Sequence, residues 1–259
     1  MVLVFLSFVS VVNCWTPVFV DVFSEVELRD AICAAPYDKP YTIGVVGDIF
    51  LEKPLEIPSG KCIMLVGGGG CLVGCDGMDT IIVRDGGRLT LLFQLVVTHV
   101  EGASGRGVYV ERGGVFEMSG GTICGNSAVR GGGVYNEGYF ELWGGERVAV
   151  ENYGGVIVNN TAQYGGGVYN GGYFITYWGD VCGNVAVRGG GVYSVGVFDE
   201  FGSRTVVSNV ATSGVGVDVF VDNSGFWWVY FLVYGVVIVV CVGWFFCCLR
   251  KRKQLVSAG

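Results

Sequence analysis

Carboxylates are the side chains in this sequence with the clearest potential for catalysis. Cleavage of a glycosidic bond uses either two carboxylates that flank the bond or aspartates that hold Ca²⁺ beside a basic residue. The glycine-rich repeat coils offer scattered acids, among them Glu117, Glu141, Asp180, Asp199 and Glu200. They form no tight acidic motif, and Glu117 and Glu141 could form a column or simply a solvated face. We therefore expect a protein that is not an enzyme, with a polysaccharide lyase or glycoside hydrolase as the alternative.

Other residues offer little for metal or phosphate binding. His99 is the only histidine, which excludes a catalytic triad or a multi-histidine metal site. Cys71 and Cys75 are too few for zinc, and no Gly-Lys-Ser/Thr follows the glycine run at 67–70 to bind a phosphate. We expect no metal and no cofactor. Four cysteines, Cys33, Cys62, Cys71 and Cys75, could pair as disulfides outside the cell, in an order that the sequence does not reveal.

A pentapeptide organises the second half of the chain. Gly-Gly-Gly-Val-Tyr stands at 131–135, 165–169 and 189–193, with degenerate copies at 105–109 and 214–218. Other columns keep a fixed distance from it: Asn five residues before the first glycine, Ala three before it, Ile or Val three before each Asn, and Phe nine after that glycine. The members are Asn126, Asn160, Asn184 and Asn209; Ala128, Ala162, Ala186 and Ala211; Ile123, Ile157, Val181 and Val206; and Phe140, Phe174 and Phe198.

Identical residues at matched phases, about 25 residues apart, predict coils that stack and bury one another's apolar faces. The repeated sites hold valine, glycine and phenylalanine instead of leucine, so a leucine-rich repeat does not fit. We predict an all-β, right-handed parallel β-helix of five repeat coils and two or three irregular ones. The Asn column should form a hydrogen-bonded structural ladder, and the glycines a tight corner. About ten extra residues, 146–155, should form a lateral loop.

The first half of the chain should cap and begin the column. Ser24 and Glu27 form a capping box, flanked by Phe23 and Leu28 as a hydrophobic staple, so a short helix should run to about Ala34. Brief apolar strands are predicted over 41–46, 49–51, 62–66, 81–83 and 89–97. In the repeats, Cys124 and Cys182 occupy the same position of two coils that are two apart. The strand spacing puts about 9.6 Å between them, which is too far for a disulfide.

The pattern Ile-x-x-Asn (123–126 and 157–160) followed by Gly-Gly-Gly-Val-Tyr resembles the Phe-x-x-Asn and Gly-Gly-Ala-Ile repeats of polymorphic outer-membrane-protein-type surface proteins. More broadly, it is similar to the pectate-lyase-like β-helices of microbial adhesin-like proteins. The resemblance covers 105–220, and residues 23–66 are similar to the N-terminal cap of that superfamily. This chain has Ile or Val where Phe is usual and ends in a single apolar segment, unlike the bacterial outer-membrane members.

Both ends of the chain carry membrane-related patterns. Residues 1–14 are predicted to be a signal peptide, with a buried first strand as the alternative. Residues 226–249 contain no charge and are long enough for a transmembrane helix through the bilayer, and the basic cluster 250–253 marks a cytoplasmic tail over 250–259. We divide the remainder into a cap with irregular coils, 15–101, and repeat coils, 102–222. This predicts a single-pass cell-surface protein with its N-terminus outside and its C-terminus in the cytoplasm.

Charge and aromatic content limit the classes of binding partner that we expect. The part before residue 226 has 12 Lys and Arg (16 minus the four at 250–253) against 23 acids, a net charge of −11, which argues against nucleic acid. We expect an adhesin-like or structural binding module, with an extracellular glycan or a neighbouring cell surface as partner. Tyr135, Tyr169 and Tyr193 could face a ligand and stack sugars, or could pack inward or edge-on. Asn159 begins a glycosylation sequon.

Overall fold

A computed structural model describes residues 19–144, 154–202 and 205–222 of the chain. The predicted signal peptide (1–14), transmembrane helix (226–249), cytoplasmic tail (250–259) and most of the inserted loop lie outside these residues. No helix within the described ranges is long and apolar enough to cross a membrane. The chain divides after Val221 into two compact units, and all described strands belong to the first.

The described chain contains one helix and 26 short strands. They are β1 (Phe19–Val22), α1 (Glu25–Ala34), β2 (Pro40–Val45), β3 (Ile49–Phe50), β4 (Leu55–Ile57), β5 (Cys62–Gly67), β6 (Cys71–Gly74), β7 (Ile81–Val83), β8 (Arg88–Leu91), β9 (Val96–His99), β10 (Val108–Val110), β11 (Val115–Met118), β12 (Thr122–Cys124), β13 (Ser127–Arg130), β14 (Val134–Asn136), β15 (Tyr139–Trp143), β16 (Val156–Val158), β17 (Thr161–Tyr164), β18 (Val168–Asn170), β19 (Tyr173–Tyr177), β20 (Asp180–Cys182), β21 (Val185–Arg188), β22 (Val192–Ser194), β23 (Val197–Phe201), β24 (Val206–Val207), β25 (Val210–Val215) and β26 (Val219–Val221).

These strands form a parallel β-helix, as the repeat predicts. Face 1 is an eight-stranded sheet, β1-β2-β5-β8-β11-β15-β19-β23; face 2 is β3-β6-β9-β12-β16-β20-β24; and face 3 is β4-β7-β10-β14-β18-β22-β26. In the repeat coils the chain runs from face 1 to face 2, through a short fourth sheet, β13-β17-β21-β25, and on to face 3. The pentapeptide supplies the corner between the fourth sheet and face 3.

The register confirms the columns read from the sequence. Ile123 pairs with Ile157, and the phenylalanines and alanines pair coil to coil in the same way. Phe116, Phe140 and Phe174 point inward with no exposed surface, and their rings stack with centroids 4.8 and 4.6 Å apart. Burial of an aromatic side chain of this size contributes about 1.5–3 kcal/mol, so this column is a major part of the core.

The predicted asparagine ladder is present and fully hydrogen-bonded. Asn126 Nδ2 donates to Asn160 Oδ1 at 2.9 Å, and the same bond continues to Asn184 and Asn209 at 3.0 Å each. The ladder begins at His99, whose Nδ1 lies 2.8 Å from Asn126 Oδ1, and ends at Asp218, whose Oδ1 accepts from Asn209 at 3.0 Å. Each amide therefore satisfies buried polar groups that would otherwise destabilise a stacked turn.

The glycine corners have two separate causes. The first glycine of each intact pentapeptide has a positive φ, between 60° and 64°, which a side chain adopts only with strain. The second lies against the next coil, because a Cβ on Gly132 would be 2.5 Å from the carbonyl oxygen of Thr161. Backbone geometry and close packing both require glycine here.

The N-terminal cap matches the prediction in outline. Ser24 Oγ accepts from Glu27 N, and α1 follows. The Glu27 carboxylate returns to Phe23 N at 2.7 Å and not to Ser24, and Phe23 is exposed while Leu28 is buried, so the predicted staple was wrong. The single strand predicted over 89–97 was also wrong, because Gln94 has φ 61° and the segment turns from face 1 (β8) to face 2 (β9).

The cysteines are free thiols in the described residues, including the four that could have paired. Val158 lies between Cys124 and Cys182 in the register, which confirms that they are two coils apart and unpaired. Burial raises the pKa of both thiols, so they carry less thiolate at a given pH than an exposed cysteine.

Candidate binding groove

The repeat tyrosines form an outward column on face 3. Tyr109, Tyr135, Tyr169 and Tyr193 occupy matched positions in successive coils, and Phe220 continues the column. The rings of Tyr135 and Tyr169 are stacked with centroids 5.0 Å apart, and those of Tyr169 and Tyr193 with centroids 5.5 Å apart. Each ring face is therefore covered by the next ring, and stacking of a sugar on these faces, as the sequence suggested, does not fit the geometry.

The fourth sheet covers much of this column. Tyr169 and Tyr193 are only 9% and 7% exposed. The Arg130 guanidinium lies over the Tyr169 ring at 5.3 Å, and Tyr164 packs edge-on against Tyr193. The tyrosines thus meet solvent mainly by their edges, and Tyr109 and Tyr135 are less covered than Tyr169 and Tyr193.

An open groove of about 690 Å³ runs beside this column, at the corner where face 3 turns into face 1. We call it the corner groove. Tyr135 and Tyr169 line one wall, and Tyr139 and Tyr173 on face 1 line the other. Arg112 and Val115 lie in the first of its coils and Val195 in the last, while Arg130 and Glu137 contribute the remaining charges. The groove therefore crosses successive coils along the helix axis.

The floor of the corner groove is made of glycine. Gly138 and Gly172 on the floor, and Gly196 in the next coil beyond it, each lie against the carbonyl of the glycine one coil earlier, and a Cβ would come within 2.1–2.3 Å of that oxygen. Gly171, in contrast, is exposed on the floor, and a Cβ there would meet its nearest atom, the Asn136 carbonyl oxygen, at 3.5 Å, an ordinary van der Waals contact. Each turn of the corner thus includes a glycine, and at Gly171-Gly172 neither residue has a side chain, so a ligand can approach the backbone closely there.

A second amide ladder, which the sequence analysis missed, fixes the same corner. Asn136 Nδ2 donates to Asn170 Oδ1 at 2.8 Å, and Asn170 Nδ2 donates to Ser194 Oγ at 2.9 Å. Asn136 also donates to the carbonyl oxygen of Tyr173 and accepts from Gly138 N, so it ties the groove floor to its wall. The sequence could have predicted this ladder, because Asn136, Asn170 and Ser194 each directly follow the pentapeptide.

The carboxylate of Glu137 in the groove already accepts hydrogen bonds from two tyrosines. Glu137 accepts from the Tyr109 hydroxyl at 2.9 Å and from the Tyr135 hydroxyl at 3.0 Å. Burial, followed by the hydrogen bond to Glu137, raises the pKa of Tyr109 to about 12 and also raises that of Tyr135. Both phenols therefore remain protonated donors at physiological pH.

Face 1 extends the aromatic surface beyond the groove. Trp143, Tyr177 and Phe201 stack in a second outward column, with centroids 4.3 and 5.2 Å apart. Tyr173 is 54% exposed and Trp143 39%. Sequence analysis missed this column, although its members follow the phenylalanine column by three residues in each coil.

The acids considered for catalysis are spread over the coils. The register places Glu117 opposite Glu141 in the next coil of face 1, but Glu117 pairs with Arg88, and Glu141 accepts from Tyr139 and Trp143. Glu200 accepts from Thr205 at the end of the column. Among the residues that the structure describes, no cluster of three or more His, Cys, Asp or Glu could hold a metal ion.

Asn159, the sequon asparagine, is exposed in a turn with φ 56°, while Asn160 beside it is buried in the ladder.

Comparisons of the chain with protein-family models, curated proteins and solved structures find no significant match.

Proposed function

We propose that this chain is a membrane-anchored cell-surface protein whose β-helix is an adhesin-like binding module, and that the corner groove recognises glycans. The groove is the observation that carries the proposal, because tyrosines line both walls over a floor rich in glycine. Tyrosine edges offer apolar contact to the C–H groups of a sugar. The neighbouring hydroxyl, carboxylate and guanidinium groups supply the few directed hydrogen bonds that give a binding site its specificity.

The proposed surface location rests on the sequence. Residues 226–249 form an uncharged stretch long enough to cross a bilayer, and the cluster 250–253 would mark the cytoplasmic side. The likeness of the repeats to those of microbial surface proteins supports the same location. In this arrangement the β-helix, and the groove on its flank, face the exterior.

Tyr173 is the groove residue best suited to a test. Its side chain is half-exposed, and its backbone carbonyl, not its phenol, takes part in the amide ladder. Tyr173→Ala should therefore keep the fold and weaken binding of a glycan about 5- to 30-fold, as expected for the loss of 1–2 kcal/mol. Phe50→Ala is the matched control, because Phe50 is an aromatic residue of similar exposure on face 2.

The full-length chain, kept soluble in a detergent without a sugar headgroup, would be applied to a glycan array. We expect a defined set of glycans to be bound by the unaltered chain and by Phe50→Ala, and bound weakly by Tyr173→Ala. Absence of binding to every glycan would contradict the proposal. Equal binding by both variants would show that the glycan site lies elsewhere on the molecule.

A further inference from the structure

The arginines of the described chain fall into two groups. Arg29, Arg84, Arg88 and Arg106 each form an ion pair with a carboxylate; Arg84 meets Glu56, and Arg106 meets Asp79, at 2.6 Å. Arg112, Arg130 and Arg188 are exposed and form no ion pair with any carboxylate in the described ranges. Two of these three, Arg112 and Arg130, line the corner groove.

Local geometry explains why these two charges stay available. The turn that carries Arg112 is two residues longer than the equivalent turn at Glu137-Gly138, so its side chain stands at one end of the groove. The Arg130 guanidinium lies over the Tyr169 ring, 5.3 Å from its centroid, and this contact holds it at the wall. Guanidinium held in a fixed position, without a competing carboxylate, is suited to bind a planar or tetrahedral anion.

The surroundings make this charge distinctive. Among the described residues, Glu137 is the only acid that lines the groove, and its two oxygens already accept from Tyr109 and Tyr135. The groove thus carries two cations and one engaged acid, a net charge of +1, on a part of the chain whose net charge is −11 (12 minus 23, before residue 226). A cationic groove in an acidic body favours anionic ligands locally, whereas the body as a whole repels large polyanions.

We infer that the ligand of the corner groove is an anionic saccharide, whose carboxylate or sulfate groups contact Arg112 and Arg130. This inference rests on the proposed glycan-binding function of the same groove. Tyrosine walls then contact the sugar rings, and the two guanidinium groups select the charged substituent. Charge selection also predicts that binding weakens as ionic strength rises, because exposed charges are screened over about 10 Å at 0.1 M salt.

The test uses an array that pairs each acidic glycan with its neutral counterpart, made by carboxyl reduction or desulfation. We expect the full-length chain to bind acidic members at least tenfold more tightly than their neutral counterparts. Carboxylated and sulfated members are separate arms, so the array also identifies which anion is preferred. Equal binding of neutral and acidic members would overturn the charge inference and leave glycan binding intact. Absence of binding to any member would overturn both.

Three arginine variants locate the charge. Arg112→Gln and Arg130→Gln should each weaken binding of the tightest array glycan about tenfold, which corresponds to the loss of one charge-assisted contact, and should reduce its salt dependence. Arg188→Gln is the matched control: Arg188 also directly precedes a pentapeptide and is exposed, but it lies outside the groove. Equal effects at Arg130 and Arg188 would contradict the assignment. Because Arg112 makes no hydrogen bond or ion pair in the described chain, its variant remains informative if Arg130→Gln lowers stability.

Discussion

Replacement of Asn184 by alanine tests whether the buried asparagine ladder holds the coils together. Asn184 has no exposed surface, and its side chain takes part in five hydrogen bonds. Its Oδ1 accepts from the backbone N and the Nδ2 of Asn160, at 3.0 Å each. Its Nδ2 donates to the carbonyl oxygens of Ile157 and Cys182 and to Asn209 Oδ1, at 2.9–3.1 Å.

The magnitude follows from this count. A buried hydrogen bond contributes about 1 kcal/mol net, and because the two N–H hydrogens are shared among three acceptors, the side chain makes the equivalent of four full bonds, or about 4 kcal/mol, part of which a water molecule that enters the polar space would recover. We therefore expect Asn184→Ala to lower the free energy of unfolding by about 3–5 kcal/mol. Asn184→Asp keeps the shape but turns an acceptor towards three oxygens, so it should destabilise at least as much.

Urea unfolding of the full-length chain, followed by circular dichroism, measures the change. Asn159→Gly is the matched control, because Asn159 is an exposed asparagine with a positive φ and glycine suits that conformation. It should change the free energy of unfolding by less than about 0.5 kcal/mol. A cost for Asn184→Ala no larger than that of the control would refute the role of the ladder.

Three further predictions concern the core, the corner and the phenols. Phe140→Ala removes a ring stacked between Phe116 and Phe174, so the free energy of unfolding in urea should fall by about 3–5 kcal/mol; a loss below about 1 kcal/mol would contradict the inward column. Gly131→Ala should cost more than Gly214→Ala in the same assay, since both have positive φ but only at Gly131 does a Cβ meet a carbonyl oxygen, at 2.2 Å; equal losses would contradict the close corner. The pKa of Tyr109, raised mainly by burial, and that of Tyr139, raised mainly by its hydrogen bond to Glu141, are both about 12. Folding favours the protonated phenols, so their contribution to the free energy of unfolding should be fully present below about pH 10 and should be lost as the pH rises towards 12. An ultraviolet titration that finds all tyrosines ionised near pH 10 would disprove this.

The repeat made the stacking register predictable. Residues at the same phase of a solenoid pair coil to coil, so the positions of Asn160, Ala162 and Phe174 followed from spacing alone, and the structure confirms each pairing. The apolar residue types predicted that the phenylalanine column is buried, because a phenylalanine column contributes more to the stability of the fold when it points inward than when it is exposed.

The corner groove was less predictable, for two physical reasons. Tyrosine is stable either exposed or covered, and the covering of Tyr169 depends on Arg130, which belongs to a separate short sheet. The groove also depends on the space left by the glycine column, which is visible only when neighbouring coils are superimposed. The prediction of one strand over 89–97 failed for a related reason. Strands buried in parallel sheets lack polar alternation, so the apolar pattern did not show that the chain turns at Gln94.

The most direct test of the groove as a glycan-binding site is to block it. Gly171→Trp places a large side chain on the floor, where a Cβ makes only van der Waals contacts, the nearest at 3.5 Å, and φ lies outside the left-handed region. Gly68→Trp is the matched control, because Gly68 is also exposed, with its nearest Cβ contact also at 3.5 Å, in a turn between face 1 and face 2. Affinity for the tightest array glycan would be measured by calorimetry on the full-length chains. We predict that Gly171→Trp abolishes binding and that Gly68→Trp leaves it unchanged; full affinity in Gly171→Trp would contradict the proposed site.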